Sequence, residues 1–185
     1  LNSLAAGQVK PEWFQSWENA MHRLESLEPI TIAKIHGYAI GGGLQVALAC
    51  DLRIASDDAR FGLPAVLEAL IPGLGTFRLP RFIGLGRAKR MVLTGELLSG
   101  RESQAIGLVD WVADEGKLDS LTEEVIEGLL KGSRTAQCFS KWLTLSAFES
   151  DSATVVSDYI DYQTKTITSP EHRAAMDEYL KRKKR

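Results

Sequence analysis

Three consecutive glycines, Gly41–Gly43, stand between a β-branched segment and an apolar one. We expect a strand over 30–35 and a helix over 44–50, so the glycines lead directly into that helix. The first N–H groups of a helix have no intrahelical acceptor, and glycine lets a ligand atom approach them closely. The pattern predicts a pocket of N–H donors for a phosphate, or for a carbonyl oxygen that gains negative charge.

The phosphate interpretation of the glycine run is the weaker of the two. No Lys-Ser or Lys-Thr pair follows the glycines as a phosphate-binding loop requires, and the G-x-G-x-x-G spacing of dinucleotide-binding folds is absent from the run. A structural interpretation also stays open, in which the glycines only let the strand and the helix pack closely.

Five motifs in a fixed order resemble the enoyl-CoA hydratase/isomerase (crotonase) superfamily. They are Ile35–Gly43, Cys50–Ala55, Phe61–Pro64, Ile71–Gly73 and Leu79–Arg81, and the similarity continues to the basic C-terminal helix. The resemblance implies an α/β fold, a spiral of strand-strand-helix units followed by an all-helical region that mediates trimer formation. We assign residues 1–131 to the core, without its N-terminal strands, and 132–185 to the helical region.

The resemblance also implies a substrate and site residues. Family members bind an acyl-CoA thioester and stabilise its enolate with two backbone N–H groups, so coenzyme A enters as part of the substrate and no separate cofactor or metal is expected. One donor matches Gly42, next to Ile40 and Gly41 in the substrate-binding segment. The other donor belongs to an upstream loop, whose end resembles 1–4.

The C-terminal basic run offers a second contact with the substrate. The resemblance implies that one basic residue there, Arg182 or Lys183, meets the phosphates of coenzyme A. A solvated, frayed helix end is an equally open interpretation of this run.

Two positions depart from the hydratase pattern. Hydratases of this family carry a glutamate two residues after the glycines, where this chain has Gln45, and another after the Phe-Gly-x-Pro motif, where it has Ala65. Hydration needs one carboxylate to activate water and another to protonate the α-carbon. Glutamine can orient a polar group or water but cannot usefully accept a proton, and alanine can do neither. These residues do not support the two-glutamate mechanism.

Glu68 is the nearest remaining carboxylate in this segment. It follows Ala65 by one turn of a helix predicted over 64–70, among apolar neighbours that would favour a raised pKa and a role as single acid/base. The alternative is an exposed glutamate or a structural ion pair. We interpret Asp51 and Arg53 as a structural polar anchor.

Composition restricts the function further. The 185 residues carry a net charge of −2, which argues against a nucleic-acid-binding protein. No apolar run reaches the ~18 residues of a membrane-spanning helix. Two widely separated cysteines are typical of reduced thiols in a cytoplasmic protein.

The helical region carries apolar side chains that predict a homotrimer or a homohexamer.

The function that we predict is an acyl-CoA-processing enzyme of the isomerase or C–C cleavage type, with Gly42, Gln45 and Glu68 as its catalytic residues. The alternative is a non-catalytic acyl-CoA-binding or assembly subunit, which the loss of both glutamates favours. A hydratase that tolerates both substitutions is a third, weaker interpretation.

Overall fold

The computed structural model describes residue 8 and residues 10–183, and the chain divides into two compact units, 1–123 and 124–185. The first unit alternates strands with helices. Its elements are α1 (Pro11–Glu25), β1 (Ile32–Ile35), β2 (Tyr38–Ile40), α2 (Gly42–Ala49), β3 (Leu52–Ser56), β4 (Arg60–Gly62), a 3₁₀ helix (Pro64–Glu68), α3 (Gly75–Ile83), α4 (Leu85–Thr94), β5 (Leu98–Ser99), α5 (Gly100–Ala105), β6 (Trp111–Ala113) and the start of α6 (Leu118–Leu130).

Two small sheets organise this unit. In the first, β3 lies between β1 and β6 and is parallel to both. In the second, β4 is parallel to β2 and antiparallel to β5. Parallel neighbours need a crossover between them, and α2 provides it for both β1–β3 and β2–β4. The predicted α/β architecture of strand-strand-helix units is confirmed.

The core of the first unit forms where α2 packs among the strands and α3. Helix α2 is apolar on nearly all sides, as expected for a helix inside a core. The fully buried side chains include Leu44, Phe61, Leu63 and Leu79. Burial of each large apolar side chain stabilises the fold by roughly 1.5–3 kcal/mol. The packing of this cluster therefore holds α2 in a fixed position.

Asp51 and Arg53 tie the strands of the first sheet to neighbouring segments through polar contacts. The buried Arg53 guanidinium pairs with Asp110 at 3.1 Å and donates to the Leu108 carbonyl. Burial lowers the pKa of Arg53 below its ordinary value, and Asp110 opposes that effect. Asp51 accepts hydrogen bonds from the backbone N–H and hydroxyl of Thr31. Both residues have the structural role predicted for them.

The second unit contains the end of α6 and three further helices, α7 (Arg134–Ser146), α8 (Ser152–Ile167) and α9 (Pro170–Lys183). Within its described residues, 124–183, it has no strand, as predicted. Helices α7 and α8 meet through Phe139 and Tyr162, whose stacked rings lie 4.5 Å apart. The boundary between the units lies inside α6, and the sequence-based boundary at 131/132 lies just after that helix.

The structure corrects three details of the sequence-based elements. Helix α2 begins at Gly42, so two of the three glycines belong to it. The predicted helix over 64–70 is a short 3₁₀ helix that ends at Glu68. Strands β2 and β5 were not predicted, because strands of three and two residues are too short to show a period.

Candidate functional site

The start of α2 is held in place by a turn that requires glycine. Gly41 precedes the helix with φ of 56° and ψ of −115°, a conformation that residues with a Cβ rarely adopt. Its N–H donates to the Gly62 carbonyl of β4 at 2.9 Å, which fixes the turn to the second sheet. The N–H groups of the first turn of α2, from Gly42 onward, therefore point away from the helix with no intrahelical acceptor.

The indole ring of Trp17, on α1, covers this helix start. A Cβ at Gly42 would lie 3.4 Å from Trp17 Cζ2, so the ring is in contact range of the position where a larger residue would project. Trp17 is 38% exposed, so part of the residue stays open to solvent. Trp17 thus packs beside the start of α2 at Gly42.

Gln45 lies one turn into α2, beside the same indole. The residue is buried, and its Oε1 accepts a hydrogen bond from Trp17 Nε1 at 3.2 Å. An indole N–H only donates, so the amide oxygen must face Trp17 and the amide nitrogen must face the other way. Sequence analysis predicted a polar positioning role for Gln45, and the structure gives that side chain a defined orientation.

A turn at Gly73 closes around Gln45. A Cβ at this position, whose φ is 54°, would lie 3.0 Å from Gln45 Oε1, 3.4 Å from Gln45 Nε2 and 3.2 Å from Glu18 Oε1. Only glycine leaves room for the amide and the carboxylate to approach the backbone together. The Pro-Gly segment after the 3₁₀ helix is therefore packed closely against Gln45 and Glu18.

Glu18 and Arg78 fix this turn to α1. Glu18 accepts from the Leu74 N–H at 3.2 Å and pairs with Arg78 at 2.8 Å, and Arg78 also pairs with Glu25 at 2.6 Å. Burial disfavours the charge on Arg78, but its hydrogen bonds to the two carboxylates outweigh that effect and raise its pKa. The guanidinium stays charged and holds α1 and α3 together.

Ala65 and Glu68 lie on the 3₁₀ helix. Ala65 is half-buried and its methyl group brings no polar chemistry to the site. Glu68 is exposed, and its neighbours Leu67 and Leu70 are exposed as well. The apolar surroundings expected for the Glu68 carboxylate are therefore absent, because the short helix turns these side chains outward. Its role as an acid/base stays a prediction.

The other residues predicted to contact the substrate lie at the end of β2 and on α9. Ile40 ends β2 and is half-buried next to the Gly41 turn. Arg182 is exposed on α9 and pairs with Glu178 one turn earlier, and Lys183 is exposed at the last residue of the helix. Contact of either basic residue with coenzyme A stays a prediction. The loop end predicted at 1–4 lies outside the described residues.

Sequence analysis missed Trp17 and Glu18 as site residues. The sequence marks Trp17 only as one of the apolar positions of an amphipathic helix, and the structure has that helix as α1. No local motif marks a helix residue that contacts a glycine turn 25 or more positions away. The only signal at Trp17 was its residue type, since the indole N–H of a packed Trp usually finds a hydrogen-bond partner.

Comparisons with known proteins identify the family and support the fold. A family model described as enoyl-CoA hydratase/isomerase matches residues 5–185. The short-chain-enoyl-CoA hydratase of Clostridium acetobutylicum is 32% identical over 163 residues, which cover 88% of this chain and 62% of that protein. The solved enoyl-CoA hydratase of Bacillus anthracis is 30% identical with a TM-score of 0.88, covering 95% of this chain and 70% of that chain. Pseudomonas aeruginosa DspI is 31% identical with a TM-score of 0.86, covering 92% and 66%.

The chain belongs to the enoyl-CoA hydratase/isomerase family. It spans only 62% of the length of the Clostridium relative. A higher identity occurs in a shorter stretch, since the (E)-benzylidenesuccinyl-CoA hydratase of Thauera aromatica is 50% identical over 97 residues, 52% of this chain and 38% of that protein.

Among residues 8 and 10–183, no group of three or more His, Cys, Asp and Glu side chains has the arrangement of a metal site. In the same part of the chain, no helix combines the length and the apolar character needed to cross a membrane.

Proposed function

We propose that this protein is an acyl-CoA-processing enzyme that stabilises a thioester enolate without a pair of catalytic carboxylates. The observation that carries the proposal is the start of α2, where a glycine turn tied to β4 leaves the Gly42 N–H without an intrahelical acceptor. Isomerisation or C–C cleavage fits the residues present better than hydration.

The proposed chemistry follows from the charge that the thioester develops. Loss of a proton or of a carbon substituent from the α-carbon leaves an electron pair, which delocalises onto the thioester oxygen. The Gly42 N–H donates to that oxygen and lies at the positive end of the α2 dipole. A preorganised donor of this kind typically accounts for ~10²–10³-fold in rate.

The residues at the hydratase glutamate positions support reaction types other than hydration. Gln45 cannot act as a general base, and Ala65 has no ionisable group. Gln45 instead positions a polar substrate atom or a water molecule. If the protein uses a side-chain acid/base, the 3₁₀ helix offers Glu68 for that role.

A screen of acyl-CoA thioesters by mass spectrometry, scored for both binding and turnover in the full-length protein, tests the proposal. We expect at least one thioester to bind and to be isomerised or cleaved. Failure of every thioester to bind would refute acyl-CoA as the substrate class.

A second candidate is a non-catalytic acyl-CoA-binding or assembly subunit. The exposure of Glu68 favours it, because a carboxylate in solvent is a poor acid/base for a reaction inside a pocket. The same screen separates the two candidates: a binding subunit would retain thioesters without converting any of them.

We also propose that the protein assembles as a homotrimer or a dimer of trimers. The second unit exposes a large set of apolar side chains, namely Leu145, Phe148, Val156, Tyr159, Ile160, Ile167, Met176, Tyr179 and Leu180. Apolar surface of this extent is typical of a protein interface. Light scattering of the full-length protein should give a mass of three or six subunits, and a stable monomer would refute the assembly.

A further inference from the structure

A cavity of about 280 Å³ lies in the first unit, between α4, β5 and α5. Its volume is close to the lower end of the range for small-molecule pockets, which is roughly 300 Å³. None of the described residues that line it belongs to the start of α2 or to the 3₁₀ helix. The cavity is therefore separate from the proposed thioester site.

Part of the cavity wall is apolar. Ile83 and Met91 line the cavity and are buried, and Leu98 and Ile106 line it with half-buried side chains. Contact of a hydrocarbon chain with these side chains removes apolar surface from water, which is favourable. We therefore expect the ligand to have an apolar body.

Two carboxylates that line the cavity are already bonded within the chain. Glu96 pairs with Arg90 at 2.8 Å. Glu102 accepts hydrogen bonds from the hydroxyl of Ser99 at 2.7 Å and from its backbone N–H at 2.8 Å, and these bonds lower the pKa of Glu102. The wall therefore carries the Arg90–Glu96 ion pair and an ionised Glu102.

Arg87 also lines the cavity, and its guanidinium has no partner within the described part of the chain. The residue is exposed on α4, one turn before Arg90. Like charges one turn apart on a helix repel each other, so an anion beside Arg87 would relieve that repulsion. A guanidinium binds a carboxylate especially well, through two parallel N–H donors.

The charges around the cavity favour a ligand with a single negative charge. Arg87 and Arg90 balance Glu96 and Glu102, so a second negative charge on the ligand would lie near two carboxylates without a further cation. A phosphate dianion is disfavoured for the same reason. A neutral molecule would leave the donors of Arg87 to water.

We propose that this cavity binds the anion of a monocarboxylic acid with a short apolar chain. The carboxylate of the ligand pairs with Arg87, and its chain packs against Ile83 and Met91. The inference goes beyond the proposed function and does not depend on it, because the cavity and the start of α2 share no residue.

The test uses Met91 as a reporter in the full-length protein. The methionine methyl groups are isotope-labelled, and octanoate is titrated at neutral pH while NMR spectra are recorded, with a Met91→Leu sample to assign the signal. We expect a saturable shift of the Met91 signal with a Kd of about 0.1–1 mM, the strength expected for a ligand of this size. The signals of Met21 and Met176, which do not line the cavity, should stay in place.

Two further ligands test the charge of the bound ion. Octanol has the same chain without a charge, and suberate carries a second carboxylate at the far end of that chain. Octanoate should bind about fivefold more tightly than octanol, the effect of one partly exposed ion pair, and also more tightly than suberate. Equal Kd values for octanoate and either of these ligands would overturn recognition of a monocarboxylate.

Substitutions assign the binding to this cavity. Arg87→Met removes the charge and keeps an unbranched side chain, so the Kd for octanoate should rise about fivefold, to the value for octanol. Lys89→Met, the same loss of one positive charge on α4 but outside the cavity, is the matched control and should keep the native Kd. Ala105→Phe places a ring in the cavity and should abolish the response of Met91 while Met21 and Met176 keep their native signals.

Three results would overturn the inference. They are an unchanged Kd for octanoate in Arg87→Met, a full response of Met91 in Ala105→Phe, and a titration of the native protein in which octanoate leaves the Met91 signal in place. Each of them would leave the proposed function standing, because the thioester screen tests that function independently.

Discussion

The two positions where hydratases carry glutamate differ sharply in this molecule. Position 45 lies on a core helix, and its glutamine is buried and bonded to Trp17. Position 65 lies on a short 3₁₀ helix, and its alanine is followed by a run of exposed side chains. Position 45 therefore presents an oriented polar group, whereas position 65 presents only a methyl group. This difference between the two positions supports the proposal of a thioester-polarising site without the paired acids of hydration.

Restoring both acids is the strongest test of this comparison. The variant Gln45→Glu, Ala65→Glu should raise crotonyl-CoA hydration by ~10²–10⁴-fold over the native protein, because one general acid or base typically contributes that much. The backbone at both positions is intact, with α2 and the 3₁₀ helix in place. Steady-state kinetics on the full-length protein measures the gain.

The pH dependence of the double variant gives a second readout. A new carboxylate at position 45 would lie near Glu18, and like charges at short distance raise the pKa of one partner. We expect a bell-shaped profile of kcat/KM against pH. A double variant that folds and binds substrate but stays inert would show that the pocket was rebuilt beyond these two positions.

A larger residue at Gly42 tests the proposed oxyanion site at the start of α2. A Cβ at Gly42 meets Trp17 at 3.4 Å, so Gly42→Val forces branched atoms into the indole and toward the thioester oxygen. Turnover of any substrate found in the screen should fall by ~10²–10³-fold, the loss expected for one oxyanion donor.

The matched control is Gly86→Val, inside α4, where a Cβ would meet no atom within 4 Å. It carries the same change in helix propensity and should keep native turnover. Equal losses in the two variants, or unchanged kinetics in a folded Gly42→Val protein, would exclude the start of α2 as the oxyanion site.

A substitution of Arg78 tests how much the ion pairs between α1 and α3 stabilise the fold. Arg78→Met leaves the carboxylates of Glu18 and Glu25 without their partner, and the side chain it removes is only 6% exposed. We expect a loss of about 2–3 kcal/mol in the free energy of unfolding, below the usual cost of breaking a buried pair because the carboxylates keep some solvent.

Urea denaturation measures this effect against Arg90→Met. Arg90 pairs with Glu96 but is 71% exposed, so its substitution should cost about 1 kcal/mol or less. Equal losses in the two variants would mean that the Glu18–Arg78–Glu25 network does not stabilise the fold specifically.

The smallest effect on turnover is expected from a substitution at Glu68, on the exposed 3₁₀ helix. Glu68→Gln keeps the shape of the side chain and removes its charge. If the exposed position of Glu68 is retained during the reaction, turnover should change by less than about twofold, since a group in solvent adds little to acid–base catalysis. A loss of ~10²-fold would instead establish Glu68 as the acid/base and favour the isomerase type.

Much of the fold follows from local sequence patterns. The amphipathic period from Trp13 to Leu24 predicts α1, and Pro11 marks its first turn. The absence of glycine after Gly132 predicts the helical second unit. The breaker residues over 72–76 predict a helix that begins only at Arg78. Helix α3 begins at Gly75 instead, because tertiary packing overrides the breaker residues of its first turn.

The candidate site was only partly predictable. The glycine run and Gln45 are local features, and sequence alone pointed to both. The hydrogen bond from Trp17 to Gln45 joins residues 28 positions apart, and the approach of Glu18 to Gly73 joins α1 to a distant turn. Such contacts arise when helices pack, and no short motif encodes them.

The most direct test of the central claim is the behaviour of the native full-length protein toward crotonyl-CoA. Calorimetry and a hydration assay on the same sample should show binding of the thioester with hydration at least ~10²-fold slower than in the double-glutamate variant. Rapid hydration by the native protein, at a rate equal to that of the variant, would contradict the account. It would show that Gln45 and Ala65 do not exclude the hydratase reaction.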